Sequence, residues 1–188
     1  YMKKMFIVHG WAGSPKEPMH QWLKKELEKE GFQIHVLKMP NPKAPTIHSW
    51  IETMKQEVGL ELTKDMYFIG HSIGCQTVLR FLEIAKGKSG AVCLIAPWLK
   101  LKSLDADEER AIAKEWEETS IEWNNVKNKS SNFLCQFSDD DPYVFVEEAK
   151  KFKKFLNADI VIEKKKGHFT ETDNYEANTT VINYLLNI

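Results

Sequence analysis

The chain alternates, about six times, between a short run of strand-forming apolar residues and a longer amphipathic stretch. The runs Lys4–Val8, Phe32–Leu37, Met66–Ile69, Ala91–Ala96, Phe133–Phe137 and Ile160–Ile162 read as strands. Most are continuously apolar, as strands covered on both faces must be. Between them, Met19, Trp22, Leu23 and Leu27 recur at helical spacing, as do Ile47, Trp50, Ile51, Met54 and Val58. Cys75–Ile84 reads as a largely buried helix, and further helices are expected over Val146–Leu156 and from Asn174 onward. The first helix is expected to start with Ser14 as N-cap, Pro15 at the first position and Glu17 closing a capping box, and to stop at Gly31. This rhythm predicts an α/β fold: a doubly wound, mostly parallel sheet of about six strands flanked by helices.

One segment breaks the rhythm. Leu101–Lys129 is charged at its front, with Asp105, Asp107, Glu108 and Glu109, and carries Trp116 and Trp123 further on. It is expected to form one helix and a loop over an end of the sheet, either as a solvated surface helix or as a small cap over a site.

With 188 residues the chain has enough material for one core. Met2 is read as the natural start, so a single domain is expected over residues 2–188. The 26 basic and 27 acidic residues leave a net charge of -1, which gives no electrostatic case for a nucleic acid or an anionic membrane as partner. A protein partner is not indicated. The run Met5-Phe6-Ile7-Val8 is too short for a signal segment or a membrane span. Cys75, Cys93 and Cys135 form neither a disulfide framework nor a metal-binding pattern, and they read as buried thiols of a cytoplasmic protein.

The sharpest local signal is Gly70-His71-Ser72-Ile73-Gly74, between the strand Met66–Ile69 and an apolar helix. A G-x-S-x-G arises by chance roughly once in sixteen chains of this length, so its position decides its meaning. At a strand-to-helix junction it matches a nucleophile elbow, in which small residues on either side of the serine let strand and helix approach closely. A serine hydroxyl needs a base within hydrogen-bond reach. Of six histidines, His71 adjoins the serine on a turn and is expected to point elsewhere. His20, His35 and His48 are expected at surface or edge positions, and His9 is placed to shape the loop after the first strand. His168, in Lys166-Gly167-His168-Phe169, follows the last strand at the carboxyl edge of the sheet, where open α/β folds bind ligands.

The acid that orients this histidine is expected in Ser138-Asp139-Asp140-Asp141-Pro142. Spacing leaves all three aspartates open, and a solvated acidic turn would account for Asp139 and Asp140. The chain order Ser, Asp, His is that of α/β-hydrolases. Two backbone N–H donors for an oxyanion are expected from Ile73 and from Trp11, in His9-Gly10-Trp11-Ala12-Gly13. That loop carries no Walker lysine and no GxGxxG pattern.

Taken together, Phe6-Ile7-Val8-His9-Gly10, Met39-Pro40-Asn41-Pro42, the Gly70–Gly74 elbow, the Ser138–Val144 acidic loop and Gly167-His168-Phe169 resemble the retinoblastoma-binding-protein-nine-like small serine hydrolases, over nearly the whole chain. The resemblance implies a reduced α/β-hydrolase fold, Ser72 as nucleophile and His168 as base. It also implies that the catalytic aspartate is the one directly before proline, Asp141. The reading that follows is a carboxylesterase-like serine hydrolase. It is expected to cleave an ester, thioester or amide of a small acyl compound through an acyl-enzyme, with no metal or cofactor required. Activity should fall on acidification, because His168 has to be neutral to accept a proton. Two other readings remain: a protein-binding scaffold with a vestigial site, and a serine peptidase.

Overall fold

The computed structural model describes residues 2–102 and 104–188; Tyr1 and Ser103, the latter inside the irregular segment, lie outside them. In chain order the elements are β1 (Lys4–Val8), α1 (Pro18–Lys29), β2 (Gln33–Leu37), α2 (Ile47–Val58), β3 (Glu61–Leu62), β4 (Met66–His71) and α3 (Ile73–Ile84). They continue with β5 (Lys86–Gly87), β6 (Ala91–Ile95), α4 (Asp107–Glu118), α5 (Trp123–Lys127), β7 (Phe133–Ser138), α6 (Glu148–Leu156), β8 (Asp159–Glu163) and α7 (Thr179–Leu186).

Six strands form one parallel sheet in the order β2-β1-β4-β6-β7-β8. Burial along the strands explains their composition. Every residue of β6 and β7 is buried, whereas the edge strands β2 and β8 are mostly half-exposed. The chain leaves β1 in one direction to make β2, then returns past β1 to make β4 and the rest. Right-handed crossovers therefore place α1 on one face and α2, α3, α5 and α6 on the other. Packing agrees: α7 lies against α1, and α2, α3, α5 and α6 follow one another as neighbours. The expected doubly wound sheet is what forms. The reversal of direction falls between β1 and β4, and the crevice beyond their carboxyl ends is where such sheets bind ligands.

Three expectations need correction. The first helix begins at Pro18, not at Pro15, and Ser14 does not cap it. A helix capped by Ser14 would need the fourth helical residue to donate its N–H to the Ser14 carbonyl; that residue is Pro18, which has no N–H. Pro18 instead takes the first position, where no donor is needed. The last helix begins at Thr179, because Asn174 is held left-handed at φ 55° after a 3-10 turn over Glu171–Asp173. Asn178 then caps the helix, its side chain accepting from Val181 N–H at 3.2 Å.

The irregular segment holds two helices, α4 and α5, rather than one. Trp116 of α4 is fully buried and meets the Trp50 ring edge-on, with its indole N–H donating to the Pro45 carbonyl at 3.1 Å. The buried Arg80 of α3 anchors the segment from below, donating to the carbonyls of Trp116, Thr119 and Ser120. These carbonyls close α4, where a cation is favoured. The two-residue strands β3 and β5 pair with each other outside the main sheet, and they are too short to carry a periodic signal.

Candidate active site

Ser72 stands at the turn from β4 into α3 with φ 55° and ψ -121°, a backbone region that non-glycine residues avoid at a cost of about 1–3 kcal/mol. The surroundings enforce it. Ser72 N–H donates to the Ile95 carbonyl of β6 at 2.8 Å. A Cβ on Gly74 would come within 2.4 Å of the Val8 carbonyl oxygen and 2.6 Å of that of His9. One on Gly70 would come within 2.7 Å of the Gly74 carbonyl oxygen and of Cys75 Cα. Both glycines are thus needed for α3 to start hard against β1 and β4. Trp98, on the loop after β6, points its indole N–H at Ser72 Oγ at 3.4 Å. Sequence reasoning missed this contact, since nothing local to Trp98 marks it.

The Phe133–Ser138 strand delivers the acidic loop beside the loop that follows β8. His168 Nδ1 lies 2.7 Å from Asp141 Oδ2, so this nitrogen donates its proton to the carboxylate, and the neutral ring then has its lone pair on Nε2. Asp141 is almost fully buried, and its other oxygen accepts from the N–H groups of Tyr143 at 2.8 Å and Val144 at 3.0 Å. Asp139 and Asp140 are not merely a solvated turn. Asp139 Oδ1 accepts from Lys165 N–H and Asp140 Oδ1 from Gly167 N–H, both at 2.9 Å. The Gly167 N–H and the Ser138 hydroxyl hold the Asp140 carboxyl below its ordinary range. Asp173, also missed from sequence, accepts from the N–H groups of His168 and Thr170 at 3.0 Å and from the Thr170 hydroxyl at 2.6 Å. Gly167, at φ 53°, lies so close under this carboxylate that a Cβ would overlap it.

The loop after β1 is tied to the loop after β2. Ala12 N–H donates to the Pro42 carbonyl at 2.7 Å and the Trp11 indole to that of Lys43 at 3.0 Å. His9 completes the tie as expected, with Nδ1 donating to the Gly10 carbonyl at 2.9 Å and Nε2 accepting from Met39 N–H at 3.2 Å. Burial lowers its pKa below the ordinary value, which keeps it in this neutral form. Among the described residues, the backbone N–H groups of Trp11 and Ile73 have no protein acceptor.

Ser72, His168, Trp11 and Tyr143 line one cavity of about 330 Å³ together with Leu101 and Leu104. Trp116 and Trp123 do not line it. Two histidines sit differently from expectation. His20 is wholly buried, and His71 turns into the cavity wall rather than away, its Nε2 donating to the His168 carbonyl at 2.8 Å. Both are placed by packing between α1 and the strand ends, contacts that local sequence does not record. All three cysteines are buried and free, and burial pushes every thiol up, away from a nucleophilic thiolate. No described helix is long and apolar enough to cross a membrane.

Known proteins share both sequence and shape with this chain. It is 27% identical over 189 residues to YdeN of Bacillus subtilis, covering 97% of this chain and 94% of that protein. The structure of the B. subtilis ydeN product superimposes with a TM-score of 0.87 over 98% of this chain and 97% of that one. Serine hydrolase RBBP9 of Rattus norvegicus is 27% identical over 173 residues, 90% of this chain and 83% of that protein. A carboxylesterase structure from Nitrososphaera gargenis shares the fold at a TM-score of 0.71, with 14% identity over 98% of this chain and 90% of that one. The model of the serine hydrolase family matches residues 5–187, and a match of that extent, on a sheet edge bearing a strained serine, makes this chain a member of the serine hydrolase family of α/β-hydrolases.

Proposed function

We propose that Ser72, His168 and Asp141 form a catalytic triad that hydrolyses an ester, thioester or amide of a small acyl substrate. The observation that carries this is the 2.7 Å contact between Asp141 and His168 Nδ1, on the wall of the cavity that also exposes Ser72. A protonated Nδ1 leaves Nε2 as the base, which is the tautomer the chemistry needs. Because the Trp98 indole donates to Ser72 Oγ, the serine keeps its own proton free for His168.

In the proposed reaction Ser72 Oγ attacks the acyl carbon as its proton passes to His168 Nε2. The N–H groups of Trp11 and Ile73 receive the oxyanion, a contribution of about 3 kcal/mol for each well-aimed donor. His168 then protonates the leaving group, and water releases the acyl group by the same steps in reverse. A cavity of about 330 Å³ suits a small acyl group. The segment from Leu101 to Lys129 acts as a small cap: Leu101 and Leu104 face the cavity, and Leu101 bridges Val144 beside the Asp141 loop. Three buried free thiols fit a cytoplasmic location.

Hydrolysis of p-nitrophenyl acetate, butyrate and octanoate tests the reading. The wild type should turn over the shorter esters with an initial burst of one p-nitrophenolate per chain, and Ser72→Ala should show neither burst nor turnover above background. Undiminished hydrolysis by folded Ser72→Ala would refute it.

A further inference from the structure

Beside the proposed nucleophile lies a second group of chemically capable side chains that the hydrolytic reading does not use. Glu17, His20 and His71 each present a ligand atom, and all three atoms lie within 4.8 Å of one another. Glu17 and His71 line the same cavity as Ser72, while His20 is fully buried behind them.

The hydrogen bonding is incomplete in a telling way. His71 Nε2 donates to the His168 carbonyl, so His71 Nδ1 carries a lone pair, and that buried atom has no partner among the described residues. His20 Nε2 lies 2.8 Å from Glu17 Oε2, yet neither ring nitrogen of His20 makes an aligned hydrogen bond among the described residues. Buried nitrogens left unpaired are costly, so an arrangement that holds two such rings together calls for a ligand. Glu17 has no lysine or arginine ion pair among the described residues; its one close charge partner is His20.

We propose that Glu17, His20 and His71 bind one borderline divalent cation, for which Zn²⁺ is the best fit, and that its occupancy slows hydrolysis at Ser72. Two imidazoles and a carboxylate are a donor set that selects zinc over the hard cations calcium and magnesium. A ligating histidine normally donates its other N–H to a carbonyl or carboxylate, which fixes the tautomer; the His168 carbonyl already does this for His71. Closing the three atoms onto an ion, with tetrahedral bonds of about 2.0–2.2 Å, draws the most distant pair inward by at most about 1.4 Å. Three protein donors leave a fourth position, and it opens toward the cavity because Glu17 and His71 are on its wall. Water held there takes space beside Ser72 that the acyl group needs. The ion also draws on the ring that supports the His168 backbone. The slowing rests on the triad reading; the binding does not.

Calorimetric titration of ZnCl₂ into the chelator-treated full chain tests the site, with ester turnover followed over the same zinc range. Expected is one Zn²⁺ per chain, affinity at least ten-fold weaker in Glu17→Gln and in His20→Gln, and turnover that falls as the site fills and returns on adding chelator. Glu17 is only half-buried, so Glu17→Gln keeps the test valid should His20→Gln fail to fold. No binding, or binding that both substitutions leave unchanged, as when His168 itself captured the metal, would overturn the site. Tight binding with unaltered turnover would overturn the slowing. Enzyme that is inactive without zinc but binds it as expected would fault the triad reading and leave the site standing.

Discussion

The two halves of the proposed active site are held by different physics. The Ser72 half is set by steric closeness: two glycines let α3 start against β1 and β4, and a strained serine is locked between them. The His168 half is set by charge: four aspartates of two loops accept backbone N–H groups or the imidazole itself. The first half sits at the buried carboxyl ends of β1 and β4, whereas Asp139 and Asp140 are exposed. Steric closeness is indifferent to acid and salt but intolerant of a single added methyl. Charged loops fail when their carboxylates are neutralised.

The sharpest way to test the charged half is Asp141→Asn. It keeps the shape but can no longer hold His168 Nδ1–H as an anion does, and kcat should fall by about 10⁴-fold. Next in size is Gly74→Ala, which drives a methyl against the Val8 and His9 carbonyls. It should cost about 3 kcal/mol, read as a lowered urea midpoint, and abolish most activity. A fully stable Gly74→Ala would break the steric account of the elbow.

Asp173→Asn comes third. It weakens three hydrogen bonds to the His168 loop, and the expected loss is about 2 kcal/mol, with kcat reduced more than KM is raised. The smallest effect belongs to Asp140. Its folded-state pKa is depressed, so its stabilising contribution is complete above the ordinary carboxylate range and is lost as pH falls through the depressed value. Melting curves from pH 7 to pH 3 should therefore show less acid destabilisation in Asp140→Asn than in the wild type. Equal slopes would remove Asp140 from the acid-sensitive half.

The same division explains what could be read from sequence. All six strands of the sheet were legible, the inner ones because continuous apolar runs mark burial on both faces and the half-exposed edge strand β2 because its residues alternate, and the elbow was legible because its steric demands fall on five consecutive residues. The charged half was only partly so. Asp141 stands before Pro142 in a recognisable loop, but Asp173 acts across five residues of irregular backbone and Trp98 across a whole helix from Ser72. His20 and His71 meet only because α1 is packed over the end of β4, and no spacing encodes that. The starts of α1 and α7 were misplaced for a related reason: several residues there are fit to cap, and the choice among them is made by Pro18 and by the left-handed Asn174.

The central claim is that Ser72 is an activated nucleophile, and labelling with a fluorophosphonate, read as intact and peptide mass, tests it most directly. The account predicts a single adduct on Ser72 in the wild type, absent in Ser72→Ala and formed far more slowly in His168→Ala. No adduct on folded wild-type protein, or an adduct that persists in Ser72→Ala, would contradict it.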